Sequence, residues 1–270
     1  FLDDFKINNQ KIILIEFSYS NNPDIEEVLY NLKRLGFKVI IAHIERYSYL
    51  NVDDIKQLKS KNVLSYYVFC NKLKTVMRKG WQDWTVKKDR LESVAEHIYG
   101  VQMLAISMHS EFGYKVNLDK VLKMLAIHET EEIIIGDLTL FDINREEKAK
   151  LGHDAIQKIF EPLVKKDEYI NLILEFDERK TPEAQFAYFC DKLEADLQAR
   201  LYDLEGCMKK VKLNKNERYR ASEDVRKYVD QGLTWGQMWL RFGWDRYNYD
   251  KNFLAVSKFI RIAFAEPIWR

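Results

Sequence analysis

Five histidines occur in this 270-residue chain: His43, His97, His109, His128 and His153. Two of them are surrounded by acids in a pattern that can hold a metal ion. His128 stands in KMLAIHETEEIIIGD, with Glu129 beside it and Glu132 four residues on. At helical spacing His128 and Glu132 share a face, and Glu129 lies about 100° round the same helix. An imidazole and an adjacent carboxylate at the mouth of an apolar helix bind one divalent ion when neighbouring helices complete the set. His97, in ESVAEHIYG, and Asp191, in AYFCDKLEADL, are the candidates to complete it. Asp191 follows Ala187, Tyr188, Phe189 and Cys190, and a carboxylate in such company is costly unless it is paired or on a metal. Taken alone, the pattern leaves two readings open: a metal site, or histidines satisfied inside a helical core.

The elements that would position these groups are helices. Apolar residues recur at helical spacing over 68–79, 94–112, 118–135, 145–164, 168–176, 182–202 and 223–241. The first 65 or so residues read differently. KIILIEF (11–17) and KVIIAHI (38–44) are β-branched apolar runs, and NVLSYY (62–67) is a third candidate strand. Between them lie an amphipathic helix over 25–35, which Gly36 is placed to end, and a short helix over 52–60. The expected fold is therefore mainly α: an all-α domain over 67–270, preceded by a small α/β segment, βαβαβ, over 1–66.

Composition narrows the function classes. Only 10 Gly and 4 Pro occur, too few turn-formers for a loop-dense all-β fold. Neither GxGxxG nor GxxxxGK[ST] is present, so the usual glycine-rich phosphate cradles are excluded. The net charge of +1 announces neither nucleic acid nor a membrane surface as a partner, and no apolar run reaches the length of a membrane span. Three cysteines, odd in number and without CxxC spacing, fit a reducing cytoplasm. The chain opens on Phe1 rather than Met, and the expectation is that its true N-terminus has been cut away or that it begins partway into something larger.

His97, then His128-Glu129, then Asp191 resembles the H…HD…D signature of HD-domain metal-dependent phosphohydrolases. The surrounding RKGW (78–81), ESVAEH (92–97), GD (136–137), TPEAQF (181–186) and DKLEA (191–195) are similar to the branch that contains bacterial 5'-deoxynucleotidases. The likeness runs from about Tyr67 to near the C-terminus and implies a helical bundle. It implies that His97, His128, Glu129 and Asp191 bind one divalent transition metal, with Co, Mn, Zn and Fe all suited to mixed imidazole and carboxylate ligands. It further implies that Glu132 assists the attacking water or the leaving group, and that Arg78 binds phosphate. Trp81 would wall the nucleoside pocket, and Asp137 would approach the sugar and disfavour a 2'-hydroxyl. The substrate implied is a small-molecule nucleoside 5'-monophosphate, and the assembly a homodimer.

One residue departs from that signature: Glu129 stands where the family has Asp. The extra methylene carries the carboxylate outward by roughly 1.5 Å. Glu129 therefore divides two classes of function, an active metal-dependent phosphomonoesterase and a catalytically reduced HD protein that binds a nucleotide or metal as a regulatory module. The front segment has a likeness of its own, to an internal piece of a PHP-type phosphoesterase of the capsule-regulating tyrosine phosphatase kind. Glu16 and His43 match metal ligands there, but that family's HxH and DxH ligands are missing, so the segment reads as a structural or interface-forming remnant. The aromatic tail, from Trp235 and Trp239 to Phe253, reads as core or dimer contact.

Overall fold

The computed structural model describes residues 6–7, 10–15, 25–41, 52–139, 142–211, 226–228 and 231–263. They belong to two compact units, Phe1–Leu64 and Ser65–Arg270. In the first, β1 (Lys6–Ile7) pairs antiparallel with β2 (Gln10–Ile15), and β2 pairs parallel with β3 (Lys38–Ile41). A parallel pair needs a crossover, and α1 (Ile25–Arg34) supplies it. The helix stops where expected. Gly36 takes φ +84°, and the Gly36 and Phe37 amides donate to the Lys33 and Leu32 carbonyls, a Schellman motif. Glu16 and His43 lie outside the described residues.

The third strand expected over 62–67 is not one. Those residues belong to α2 (Val52–Cys70), which is continuous from the expected short helix. The exposure pattern gives the reason. Residues 62, 66, 69 and 70 are half-buried while 63–65, 67 and 68 are exposed, which is helical spacing rather than strand alternation. A short apolar run does not by itself distinguish the two.

The second unit is a helical bundle. After a 3₁₀ turn (Asn71–Lys74) come α3 (Lys79–Asp83), α4 (Val94–Phe112), α5 (Leu118–Ile127), α6 (Glu132–Ile135), α7 (Arg145–Phe160), α8 (Lys166–Glu178), α9 (Pro182–Leu204), α10 (Trp235–Arg246) and α11 (Lys251–Ala263). The long α9 is central and packs against α4, α5, α8, α10 and α11. One core collects Val101, Met124, Leu125, Phe160, Ile173 and Leu193. A second, beside the C-terminal half of α9, gathers Trp81, Trp84, Tyr202, Trp235 and Met238, so the first tryptophan of the aromatic tail is core.

The helix expected over 118–135 is divided. α5 ends at Ile127, and residues 128–131 form a tight turn before α6. Three i→i+3 bonds tighten it, from the amides of Thr130, Glu132 and Ile133 to the carbonyls of Ile127, Glu129 and Thr130. The Thr130 hydroxyl also donates to the Ile127 carbonyl, at 2.8 Å. Threonine's local bonding competes with the continuing helical ladder, which a reading of apolar spacing does not register.

Candidate metal centre

The first histidine is delivered by a well-fixed helix start. Ser93 caps α4 and exchanges bonds with Glu96 in a capping box, which places His97 at the end of the first turn with its ring fully buried. α9 starts from Thr181 with Pro182 at its first position, and presents Asp191 from its middle toward α4. His128 sits at the C-cap of α5 and opens the turn that carries Glu129. One donor atom from each of His97, His128, Glu129 and Asp191 lies within 4.8 Å of all the others. The residues brought together are the four named from the sequence.

His97 Nε2 is 3.2 Å from Asp191 Oδ1 and 3.8 Å from Glu129 Oε1, and the two imidazole centroids are 5.9 Å apart. His128 donates Nδ1–H to the Leu125 carbonyl at 2.8 Å, which fixes the tautomer and leaves the Nε2 lone pair free. That Nε2 is buried without a hydrogen-bond partner among the described residues. Burial lowers the His128 pKa, so the ring is neutral and its lone pair available at pH 7. An orphaned imidazole lone pair among two carboxylates and a second imidazole fits a divalent metal, and the donors suit several of them.

Protonation elsewhere in the quartet shows what an ion would replace. Burial opposes a charged His97, as does Arg78, but Glu129, Glu194 and the Asp191 hydrogen bond outweigh both and hold its pKa at about 10. Without metal, a proton occupies the place of a cation. Asp191 is held well below the usual carboxylate range: burial works against this, and Lys192, whose Nζ lies 2.7 Å from Oδ2, leads the groups that outweigh it.

Arg78 and Asp137 border the same site. The backbone around Arg78 is pinned to the residues just before α4 by an isolated Met77–Ser93 bridge: the Arg78 amide donates to the Glu92 carbonyl and the Val94 amide to the Val76 carbonyl. Its Nη1 lies 3.1 Å and 3.3 Å from the two oxygens of Glu129, and its Nε is 3.9 Å from Asp137 Oδ2. Asp137 accepts the Lys79 amide at 2.7 Å. Gly136 makes that possible, since its φ +74°, ψ 169° is a backbone region open in practice only to glycine. Arg78 and Glu129 are each 16% exposed and Asp137 14%, whereas His97 is sealed, so the site meets solvent on the arginine side.

Glu132 is buried, 3.7 Å from Lys148 Nζ, with Oε2 unpartnered among the described residues. Burial first, then the Glu129 and Asp137 charges, raise its pKa well above the carboxylate range despite Lys148 and Arg78. Trp81 is buried in the aromatic core, its indole N–H donating to Glu92 at 2.8 Å and its ring edge-on to Tyr202. His153 pairs with Asp177 on the surface, apart from the quartet. The residue-type reading passed over Lys148, Lys192 and Glu194. For Glu194 a signal existed: it lies one helical turn beyond Asp191 and so on the same face.

Comparison with known proteins places the chain in a family. The family model described as HD domain matches residues 70–231. The chain belongs to the HD-domain family. A second model, capsular polysaccharide synthesis CpsB/CapC, matches residues 3–134, which takes in the front segment and runs on past its expected end near residue 66. This HD-domain chain is 34% identical over 150 residues to the 5'-deoxynucleotidase HDDC2 of Dictyostelium discoideum, covering 53% of this chain and 78% of that one. It is 30% identical to the human 5'-deoxynucleotidase HDDC2, over 54% and 71% of the two chains. A solved structure of a predicted metal-dependent phosphohydrolase from Magnetospirillum magnetotacticum MS-1 shares the fold, with TM-score 0.53 and 22% identity over 76% of this chain and 92% of that one. Among the described residues no helix is long and apolar enough to cross a membrane.

Proposed function

We propose that this HD-domain protein is a metal-dependent phosphohydrolase that removes the phosphate from nucleoside 5'-monophosphates, deoxynucleotides foremost. The observation that carries the reading is the unpartnered His128 Nε2 facing three further ligand atoms beside an arginine at the solvent side of the site. His97, His128, Glu129 and Asp191 hold the ion. When bound, a divalent ion supplies Lewis acidity, polarising a phosphoryl oxygen and easing the ionisation of water.

The remaining steps belong to side chains. Arg78 presents five N–H donors in a planar fork, more than its contacts with Glu129 and Asp137 consume, and binds the phosphoryl oxygens. Glu132 enters the cycle protonated and donates that proton to the departing 5'-oxygen, for which a raised carboxyl pKa is the right preparation. Asp137, fixed by the Lys79 amide, faces the sugar and opposes a 2'-hydroxyl. Trp81 backs the Arg78 segment from within the aromatic core. The proposed assembly is a homodimer.

Phosphate release from a panel of ribo- and deoxynucleoside 5'-monophosphates, with and without Co²⁺ or Mn²⁺, tests the reading. Metal-dependent release that favours the deoxy series is expected. Metal binding without release from any of them would refute turnover and leave the regulatory module, the class that Glu129 keeps in view.

A further inference from the structure

His97 is gripped on both ring nitrogens by a single helix. Its Nε2 faces Asp191 at 3.2 Å, while its Nδ1 meets Glu194 Oε2 at 2.5 Å. Asp191 and Glu194 are one turn apart on α9, so the spacing of that helix sets both contacts at once. Glu92, His97 and Glu194 also form a second group of potential ligand atoms, all buried. At 2.5 Å, however, Nδ1 and Oε2 are in hydrogen-bond contact, closer than two donors that each sit roughly 2.1 Å from one ion. Glu194 is thus a partner of the imidazole and not a ligand.

Gly100 makes room for that partner. It lies one turn after His97 on α4, on the same face, and a Cβ built there would stand 2.6 Å from Glu194 Oε1 and 3.2 Å from Cγ and Cδ. The three nearest heavy atoms all belong to Glu194, so its side chain occupies the notch. Gly100 has no left-handed backbone angle to explain a glycine there. In mid-helix, glycine is otherwise an unfavourable choice relative to alanine. Behind Glu194 stands Glu92, itself held by the Trp81 indole N–H.

We propose that Glu194, seated in the notch left by Gly100, is a positioning residue that accepts the Nδ1–H of His97 and so turns the Nε2 lone pair toward the metal. The inference rests on the metal reading of the quartet. Such outer partners fix the ring and raise its basicity, and losing one costs 10- to 100-fold in metal affinity.

The test uses the full chain and Co²⁺ alone, followed by its visible absorption, with the melting temperature of the metal-free protein measured in parallel. Gly100→Ala is the decisive variant, because alanine suits the helix yet evicts the carboxylate. We expect 10- to 100-fold weaker Co²⁺ binding from a protein that still folds, with the metal-free melting temperature lowered because the buried His97 loses a carboxylate partner. Glu194→Ala should match that loss, and Glu194→Gln, which keeps an acceptor in place, should recover most of it. In Zn²⁺-loaded wild type the His97 Nδ1–H proton should resonate far downfield and vanish in Gly100→Ala. Wild-type Co²⁺ affinity in both Gly100→Ala and Glu194→Ala would overturn the inference and leave the metal centre standing. Co²⁺ binding weakened as much in Glu194→Gln as in Glu194→Ala, with the His97 Nδ1–H signal unchanged in Gly100→Ala, would show a merely structural role and overturn it too. Failure of the wild type to bind Co²⁺ would instead bring down the metal reading, and this inference with it.

Discussion

Replacing Arg78 with Met should make the protein bind metal more tightly while destroying its activity. In the structure Arg78 Nη1 sits 3.1 Å and 3.3 Å from the oxygens of Glu129, the carboxylate that a divalent ion also needs. Both side chains are only 16% exposed, so the contact is worth more than a surface pair. A hydrogen bond to a charged group contributes roughly 1.5–3 kcal/mol. A carboxylate has lone pairs for both partners, so an ion taking Glu129 would weaken the contact rather than abolish it, at a cost of about half that range. Removing Arg78 removes this competition and leaves Glu129 under-compensated, and both effects favour the ion. The expected gain is about 1.4 kcal/mol, or tenfold in Kd. Titration with Co²⁺ or Mn²⁺ measures it, and phosphate release from a deoxynucleoside 5'-monophosphate, measured at saturating metal, should fall at least a hundredfold. Chelator-treated samples should melt lower than wild type, because Glu129 and Asp137 lose their shared cation. Equal or weaker metal binding by Arg78→Met would refute the reasoning, since it would mean that Arg78 organises Glu129 for the ion instead of competing for it.

Two further expectations separate chemistry from stability. Glu132→Gln should lower kcat by a factor on the order of 10²–10³ with Co²⁺ affinity unchanged within a few-fold, the signature of a lost proton donor; a parallel fall in metal affinity would make Glu132 a ligand. Asp196, fully buried with Oδ2 accepting from Tyr249 and Ser257, has its pKa raised from 3.8 to about 8 by burial. The folded state therefore keeps a proton that the unfolded chain sheds above pH 4, and the stability this group contributes is full below pH 4 and lost as pH rises toward 8. Holding that proton at pH 7 costs roughly 4 kcal/mol, and an asparagine's extra unsatisfied N–H returns about 1–3 of it, so Asp196→Asn should be the more stable by about 1–3 kcal/mol in urea at pH 7. The advantage should disappear at pH 4, and an equal difference at both pH values would refute the assignment.

Helical spacing was enough to find the bundle because its faces repeat over several turns: α4 carries buried residues from Val94 to Met108 and α9 from Ala184 to Tyr202, each recurring at helical spacing. It failed where a segment was short or where a side chain intervened. Residues 62–67 include Val63 and the aromatic pair Tyr66 and Tyr67, and only their pattern of exposure within the continuous α2 shows a helix. Thr130 and the turn around it broke the helix that apolar spacing carried through to 135, so His128 and Glu132 do not share one helix after all. The four residues whose ligand atoms the structure brings together were legible for a different reason. Two of them are histidines, of which the chain has only five, and all four stand in ordered motifs that can be read without knowing the exact turn.

What the residue types could not convey is how the quartet's supporting atoms divide their work. An acid such as Glu194 is common on helices, and a glycine in mid-helix reads as a small flaw. Their significance appears only when two helices are laid together and the Glu194 carboxylate is found occupying the space a Gly100 side chain would fill. The same holds for Glu129. In sequence, its extra methylene is a departure that raises a question about metal binding. In the structure, that length brings the carboxylate to Arg78 as well as to within 3.8 Å of His97. A shorter aspartate, drawn back by roughly 1.5 Å, would leave hydrogen-bond distance of Arg78. The substitution thus links the ion's carboxylate to the proposed phosphate-binding arginine, and occupancy of one bears directly on the freedom of the other.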